Sequence, residues 1–211
     1  FYLFGRLYTE TLLLSIMKKI ILASNNKGKI REFNAMLEGV YEVVSMSDMN
    51  VEEVPEIGLT FVENALIKAR NASAQSGLPA LADDSGIVVD ALNGAPGIYS
   101  ARFAGNHGDD EANTQKVLRD MSQIPDGQRS ARFWCAIVFV EHANDPTPII
   151  IQRGWEGEIL REKAGKNGFG YDPIFYVPTH SKASAELSPE IKNTISHRGK
   201  ALQALLAELK K

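Results

Sequence analysis

A chain of 211 residues with 44% hydrophobic and 23% charged side chains has an ordinary soluble composition, long enough for one large domain or two closely joined lobes. Its formal net charge of −3 argues against a general nucleic-acid binder, which usually shows a strongly basic face, while leaving room for a polyanionic small substrate met by a few lysines and a divalent cation. The lone Cys135 has no internal disulfide partner and sits in the apolar run RFWCAIVFV, so it reads as a core residue in a reducing, cytoplasmic setting; no Cys/His spacing suits zinc.

Along the chain, strand and helix patterns alternate. Residues 1–16, FYLFGRLYTETLLLSI, lack a basic n-region and a small-residue cleavage site, and Arg6 and Glu10 interrupt an apolar stretch too short to span a bilayer. They are expected to be a non-native or disordered leader, with no membrane role, before a natural start at Met17. KKIILAS (18–24) reads as a strand, and KIREFNAMLEG as a helix stopped by Gly39. YEVVSM is a second strand. In EIGLTFVENALIKARNASAQSG, Thr60 and Glu63 form a capping box, and Gly77 ends the helix. The strand PALADD carries Asp83 and Asp84 out towards a Ser-Gly turn, and GIVVDAL continues the sheet. GDDEANTQKVLRDMSQI is an amphipathic helix with Asp109 or Asp110 at its positive end. SARFWCAIVFVEH and PIIIQRGWEGEI, joined through ANDPTP, read as two long antiparallel strands. Leu202, Leu205, Leu206 and Leu209 form one apolar stripe on a final helix. There is no internal repeat or linker. The expected fold is α/β, with a mixed sheet, flanking helices and two lobes around a cleft.

Four segments carry candidate chemistry. SNNKGK (24–29) lies at a strand-to-helix junction, where free backbone N–H groups and the helix dipole favour an anion; Asn25 and Asn26 add donors, Lys27 and Lys29 add charge. Alone it reads more readily as a solvated turn, and it is not a P-loop. Asp83 and Asp84 point to opposite faces if the strand is extended there. Adjacent carboxylates are unfavourable unless a cation or a proton in transit meets them. Asp84 can serve as general base or as a ligand for a hard cation, with Glu52, Glu53 or Glu56 offering a second carboxylate; Asp at a strand-end turn is the plainer alternative. In GKNGFGYDPIF (165–175), Gly165, Gly168 and Gly170 surround Phe169, a ring able to stack on a base, though taken alone the segment reads rather more as a tight loop with that ring folded into the core. In SHRGKAL, Ser196 caps a helix and places His197 and Arg198 in its first turn, where cations oppose the dipole; with Lys192 they form a donor cluster if the histidine is protonated. His107, His142 and His180 are treated as surface residues.

In order, ASNNKGKIREF, GLTFVENALIKAR, LADDSGIVVDALNGAPGIYSARF, GFGYDPIF and SHRGKAL closely resemble segments of the inosine/xanthosine triphosphate pyrophosphatases, house-cleaning enzymes that hydrolyse deaminated purine nucleoside triphosphates to the monophosphate and pyrophosphate. The likeness runs from Met17 to the C-terminus. It implies one two-lobed nucleotide pyrophosphatase domain over residues 17–211, a Mg²⁺-dependent cleft, a homodimer, and ITP, dITP or XTP as substrate, with neither nucleic acid nor membrane as partner. It implies a phosphate-binding loop of Ser24, Asn25, Asn26, Lys27, Gly28 and Lys29, with Lys68 reaching the phosphates. Asp84 is implied as proton acceptor and metal contact, Glu56 as second metal carboxylate and Ser85 as a substrate contact. Phe169, Gly170, Tyr171 and Asp172 are implied as the base platform, with Lys192, His197 and Arg198 reading the base. Where the family often has Thr-Gly-Asn, this chain has Ser-Asn-Asn; Asn25 is a tolerant replacement if that backbone takes a positive φ. A donor-rich pocket favours the C6 oxygen of hypoxanthine or xanthine over adenine's amino group. Two other readings stay open at this point: a Maf-like pyrophosphatase acting on other modified nucleotides, and a nucleotide-binding module without chemistry.

Overall fold

The computed structural model describes residues 18–210, so the expectation for the leader, residues 1–16, falls outside the described residues. Strand β1 (Lys19–Leu22) leads into helix α1 (Lys27–Leu37), capped by Asn26, whose side chain accepts from the Lys29 amide. Strand β2 (Glu42–Ser45) follows, then helix α2 (Phe61–Ser76). The ends of α2 are those its local sequence specifies. Thr60 Oγ1 accepts from the Glu63 amide at 3.2 Å, the Glu63 carboxylate accepts from the Leu59 amide at 2.8 Å, and Gly77 closes the helix at φ +71°.

The remaining elements are β3 (Ala80–Val89), α3 (Asp110–Asp120), β4 (Ser130–Val140), β5 (Ile149–Ile159), β6 (Phe175–Val177), β7 (Lys182–Ala183), α4 (Pro189–Ile195) and α5 (His197–Glu208). They build one mixed sheet of order β2-β1-β3-β4-β5-β6-β7, parallel for β1 with β2 and β3 and antiparallel elsewhere. Among the described residues no helix is long and apolar enough to cross a membrane.

One expectation fails locally. No turn follows Asp84: β3 runs unbroken for 10 residues, all paired with β4, and places Asp83 opposite Ile137 and Asp84 opposite Ala136. The reason is long-range. The apolar ladder of β4 holds Ser85 and Gly86 extended, and the 3₁₀ segment Gly97–Arg102 packs so closely on Gly86 that a Cβ there would collide with Ser100 and the Gly97 carbonyl. Ser100 Oγ also accepts from the Ile87 amide at 2.9 Å.

Three buried clusters define the lobes. Around β1 and the halves of β3 and β4 beside it, Ala65, Ala69 and Ala72 of α2 cover one face, while Phe33 and Leu37 of α1 with Leu202 and Leu205 of α5 cover the other. Leu206 and Leu209 pack at the margin of the second cluster, and Cys135 is fully buried within it. At the far ends of the same strands, Ile87, Phe133, Trp155, Phe175 and Val117 form the core of the second lobe. Helices α1 and α2 thus leave the sheet on opposite faces, and β1 pairs with β3 only as far as Leu81. Beyond that point the β3 edge from Asp83 to Gly86 has no strand partner on the β1 side. This is a topological switch point, where open α/β sheets form crevices.

Removing the Thr60 hydroxyl deletes the acceptor for an otherwise orphaned helix-end amide. Thr60→Ala is expected to lower stability by roughly 1 kcal/mol in urea unfolding, with Thr60→Ser retaining most of it; an alanine variant as stable as the parent would contradict the capping role.

Candidate active site

At that switch point lies a cavity of about 510 Å³, lined by both lobes. Its residues include Ser24, Asn25, Asn26, Lys29, Glu56, Lys68, Asp84, Ser85, Phe169, Gly170, Tyr171, Asp172, Lys192, His197 and Arg198. Two residues of the expected phosphate loop are not part of its lining. Lys27 is exposed in the first turn of α1, and Gly28 is buried against Phe169, whose Cδ1 lies 2.7 Å from where a Cβ would stand. Glycine at 28 therefore lets the aromatic ring rest on the start of α1. Asn25 does not use the left-handed conformation that glycine favours; among described non-glycine residues only Asn50, Asn93 and Ser181 have positive φ. Its side chain instead donates to Glu53 at 2.8 Å.

Asp83 and Asp84, on opposite faces of β3, have different surroundings. Asp83 is wholly enclosed, with Lys29 Nζ 3.0 Å from one oxygen and Arg198 Nη2 3.2 Å from the other. Burial works to raise its pKa, but Lys29 and Arg198 together hold it well below the usual carboxylate range. Asp83 is thus a permanently charged strut. On the other face, Lys68 Nζ lies 3.0 Å from Asp84 Oδ1 and 2.8 Å from Glu56 Oε1, while Asn64 donates to Asp84 Oδ2 at 3.3 Å. The two carboxylates sharing Lys68 shift oppositely. Burial pushes Asp84 up, and Lys68 and Lys29 only partly offset it. At Glu56 burial also acts upward, yet Lys68 prevails and the group is lowered. The difference follows exposure: the Asp84 side chain is 9% accessible, that of Glu56 27%. Asp84 is therefore a carboxylate whose basicity burial increases, and it faces the cavity.

At the other end, the aromatic ring of Phe169 has Lys192 Nζ 4.8 Å and the Arg198 guanidinium 5.8 Å from its centroid. The cationic cluster is not free of acceptors, as its sequence suggests. Glu32 of α1 lies 3.1 Å from Lys192 and also receives Arg198, and Asp172 lies 2.6 Å from Lys192. Asp172 is a buried brace: it accepts from the Phe169 amide at 2.9 Å and from Ser184 Oγ at 2.7 Å, fixing the loop around the ring. Tyr171 donates to the Ser100 carbonyl, and the Gly170 amide donates to Asp110 on α3. Ser85 Oγ accepts from Arg198 at 2.8 Å. His197 stacks on Phe133, with centroids 4.8 Å apart and ring planes within 9°. Burial, reinforced by Arg198 and Lys192, lowers its pKa well below the ordinary value, which favours the neutral ring, so the condition under which His197 would join Lys192 and Arg198 as a cation is not met near neutral pH.

Sequence reading missed Glu32, Asn64, Arg102 and His107, all now placed at the site. Helical spacing holds part of the missing signal: Glu32 lies three residues after Lys29, and Asn64 four before Lys68, so each pair shares a helix face. His107 is exposed, as expected, but lines the cavity mouth.

A model of the Ham1 family matches residues 20–208. This chain belongs to the Ham1 family. Relatives within it include the dITP/XTP pyrophosphatase of Vibrio parahaemolyticus, 56% identical over 194 residues, which span 92% of this chain and 97% of that protein. The dITP/XTP pyrophosphatase of Escherichia coli K12 is 51% identical over 195 residues, 92% of this chain and 99% of that one. The solved HAM1 protein of Coxiella burnetii superposes with a TM-score of 0.85 at 51% identity, covering 92% of this chain and 99% of its own. The mixed α/β sheet with flanking helices is therefore a Ham1 fold, and the cavity at its switch point is the candidate active site.

The buried neutral His197 makes stability depend on pH. Its folded pKa lies below the unfolded value of about 6.5, so its contribution is whole above that value. It is lost as pH falls, because only the unfolded chain takes up the proton, with a limiting slope of about 1.4 kcal/mol per pH unit. Urea unfolding at pH 7.5, 6.5 and 5.5 is expected to show this decline in the parent and a flatter profile in His197→Phe, while equal slopes would assign the decline to other groups.

Proposed function

We propose that this chain hydrolyses deaminated purine nucleoside triphosphates, dITP, ITP and XTP, to the monophosphate and pyrophosphate in a Mg²⁺-dependent reaction. One observation carries this reading: a buried carboxylate of raised pKa, Asp84, lines the same cavity as an aromatic ring flanked by Lys192 and Arg198. Its Vibrio parahaemolyticus and Escherichia coli relatives, both dITP/XTP pyrophosphatases, support it.

The residues present fit a magnesium ion that arrives with substrate. Asp84 and Glu56 converge on one ammonium position, and no group of three or more His, Cys, Asp or Glu side chains forms a metal site among the described residues. Two carboxylates without a full cage suit Mg²⁺, which completes its shell with phosphate and water oxygens. Held by Asp84 and Glu56, it would supply neutralisation of charge on the phosphate oxygens.

The chain's own residues do the rest. Asp84 orients a water against the α-phosphorus and takes its proton as the new P–O bond forms. The bond to the β-phosphate oxygen breaks, and pyrophosphate leaves. Lys68 holds Asp84 and Glu56 together, and with Lys29 it adds positive charge beside the transferring group. Ser24, Asn25 and Asn26, at the entry to α1, line the cavity beside Lys29 and offer side-chain contacts to the polyphosphate. Phe169 stacks on the base.

Base choice follows from counting donors. Lys192 directs two of its three N–H groups at Asp172 and Glu32. Arg198 directs four of its five at Glu32, Asp83 and Ser85. Each keeps one N–H for a ligand acceptor. A C6 oxygen satisfies it; adenine's C6 amino group leaves a buried donor unpaired, a difference of the kind that lets polar sites reject analogues strongly.

Asp84→Asn is expected to bind ITP with Mg²⁺ while losing about 10²-fold to 10⁴-fold in kcat, the usual contribution of a general base. Pyrophosphate release across a nucleotide panel, with and without chelator, checks both enzyme and cation. A variant with near-parental kcat would remove Asp84 from the chemistry.

A further inference from the structure

Five Lys and Arg side chains line the cavity: Lys29, Lys68, Arg102, Lys192 and Arg198. Four of them hold carboxylates closely: Lys29 on Asp83 at 3.0 Å, Lys68 on Glu56 at 2.8 Å, Lys192 on Asp172 at 2.6 Å and Arg198 on Asp83 at 3.2 Å. Arg102 differs. Its nearest carboxylate oxygen, Glu56 Oε2, is 3.6 Å away, beyond hydrogen-bond distance, and its guanidinium lies over the Tyr99 ring, 5.2 Å from the centroid. The fork thus stands over an aromatic ring, in loose ion-pair contact with Glu56 and with no side-chain hydrogen bond of its own among the described residues.

Its mount is rigid. Arg102 ends the 3₁₀ segment Gly97–Arg102, which is fastened to β3 through Ser100 Oγ and to the far lobe through the Tyr171 hydroxyl on the Ser100 carbonyl. Its place along the cavity follows from contacts. Phe169 sits with Lys192 and Arg198 at one end; Asp84 meets Lys68; Lys68 takes Glu56 Oε1; Arg102 lies by Glu56 Oε2. A nucleotide with its base on Phe169 and its α-phosphorus by Asp84 extends its outer phosphates towards Arg102.

We propose that Arg102 contacts the β- and γ-phosphates of the bound triphosphate and holds the pyrophosphate as it departs, so that the site prefers triphosphates to diphosphates. This rests on the nucleotide pyrophosphatase reading above. Guanidinium is suited to the task, because its paired donors match two phosphate oxygens at once and it never loses its charge.

The test uses the full chain with Arg102→Ala and Arg102→Lys, after pyrophosphate release from ITP by the parent has been measured. Arg102→Ala is expected to raise the KM for ITP and the inhibition constant of pyrophosphate together, each about tenfold to a hundredfold, the range for lost hydrogen bonds to a charged group. It is expected to leave inhibition by IMP and the Mg²⁺ requirement unchanged, and to narrow the preference for ITP over IDP. Arg102→Lys is expected to recover part of the loss. Unchanged pyrophosphate inhibition in Arg102→Ala would overturn the proposal while leaving the enzyme reading intact. A shift in Mg²⁺ requirement, with IMP and pyrophosphate weakened alike, would overturn it in favour of Arg102 merely positioning Glu56. A parent that releases no pyrophosphate from ITP would instead defeat the underlying activity.

Discussion

Two adjacent carboxylates stand in the middle of a strand buried on both faces, and each needs a cation delivered from outside the sheet. Asp83 is met by Lys29 of α1 and Arg198 of α5, and Asp84 by Lys68 of α2. Leaving one such charge without its partner costs on the order of 3–5 kcal/mol. The docking of three helices is therefore specified by charge as well as by the alanine and leucine contacts around them. An ion pair of this kind seldom adds stability over a hydrophobic substitute. Its presence here goes with the position of the pair at the opening between the lobes.

The same network joins the two ends of the site. Glu32, on the helix that follows the loop 24–26, receives both Lys192 and Arg198 from beside Phe169. Gly28 on that helix makes room for Phe169. The segment expected to cradle phosphate and the segment expected to stack on the base are thus packed against each other. The cations beside the ring are largely neutralised before any ligand arrives. What remains is a small number of directed donors in place of diffuse positive charge.

Local sequence carried much of the fold. The cap at Thr60, the stop at Gly77, the antiparallel pair β4 and β5 and the stripe from Leu202 to Leu209 all follow from short-range rules, and the structure has each of them. Asp-Asp-Ser-Gly misleads, because its composition is that of a turn while ten cross-strand pairs with β4 and the close approach of Ser100 keep it extended. The cavity lining was legible where a motif concentrated its residues, as at 24–26, 84–85 and 169–172, though Lys27, Gly28 and Asp83 of the same motifs stand outside it. Glu32, Asn64 and Arg102 escaped because each lies beside a residue distant in sequence: Arg198, Asp84 and Glu56. The neutral state of His197 escaped for a related reason, since only the packed structure shows the aromatic ring and the two cations around it.

The ladder between β3 and β4 crosses the cavity without interruption, contributing a wall to both lobes. The two lobes are therefore joined by strand backbone and not by a linker, so any change in the width of the crevice has to be taken up as bending or twisting of those paired strands, with the remaining adjustment left to side chains and to loops such as the one bearing Glu56.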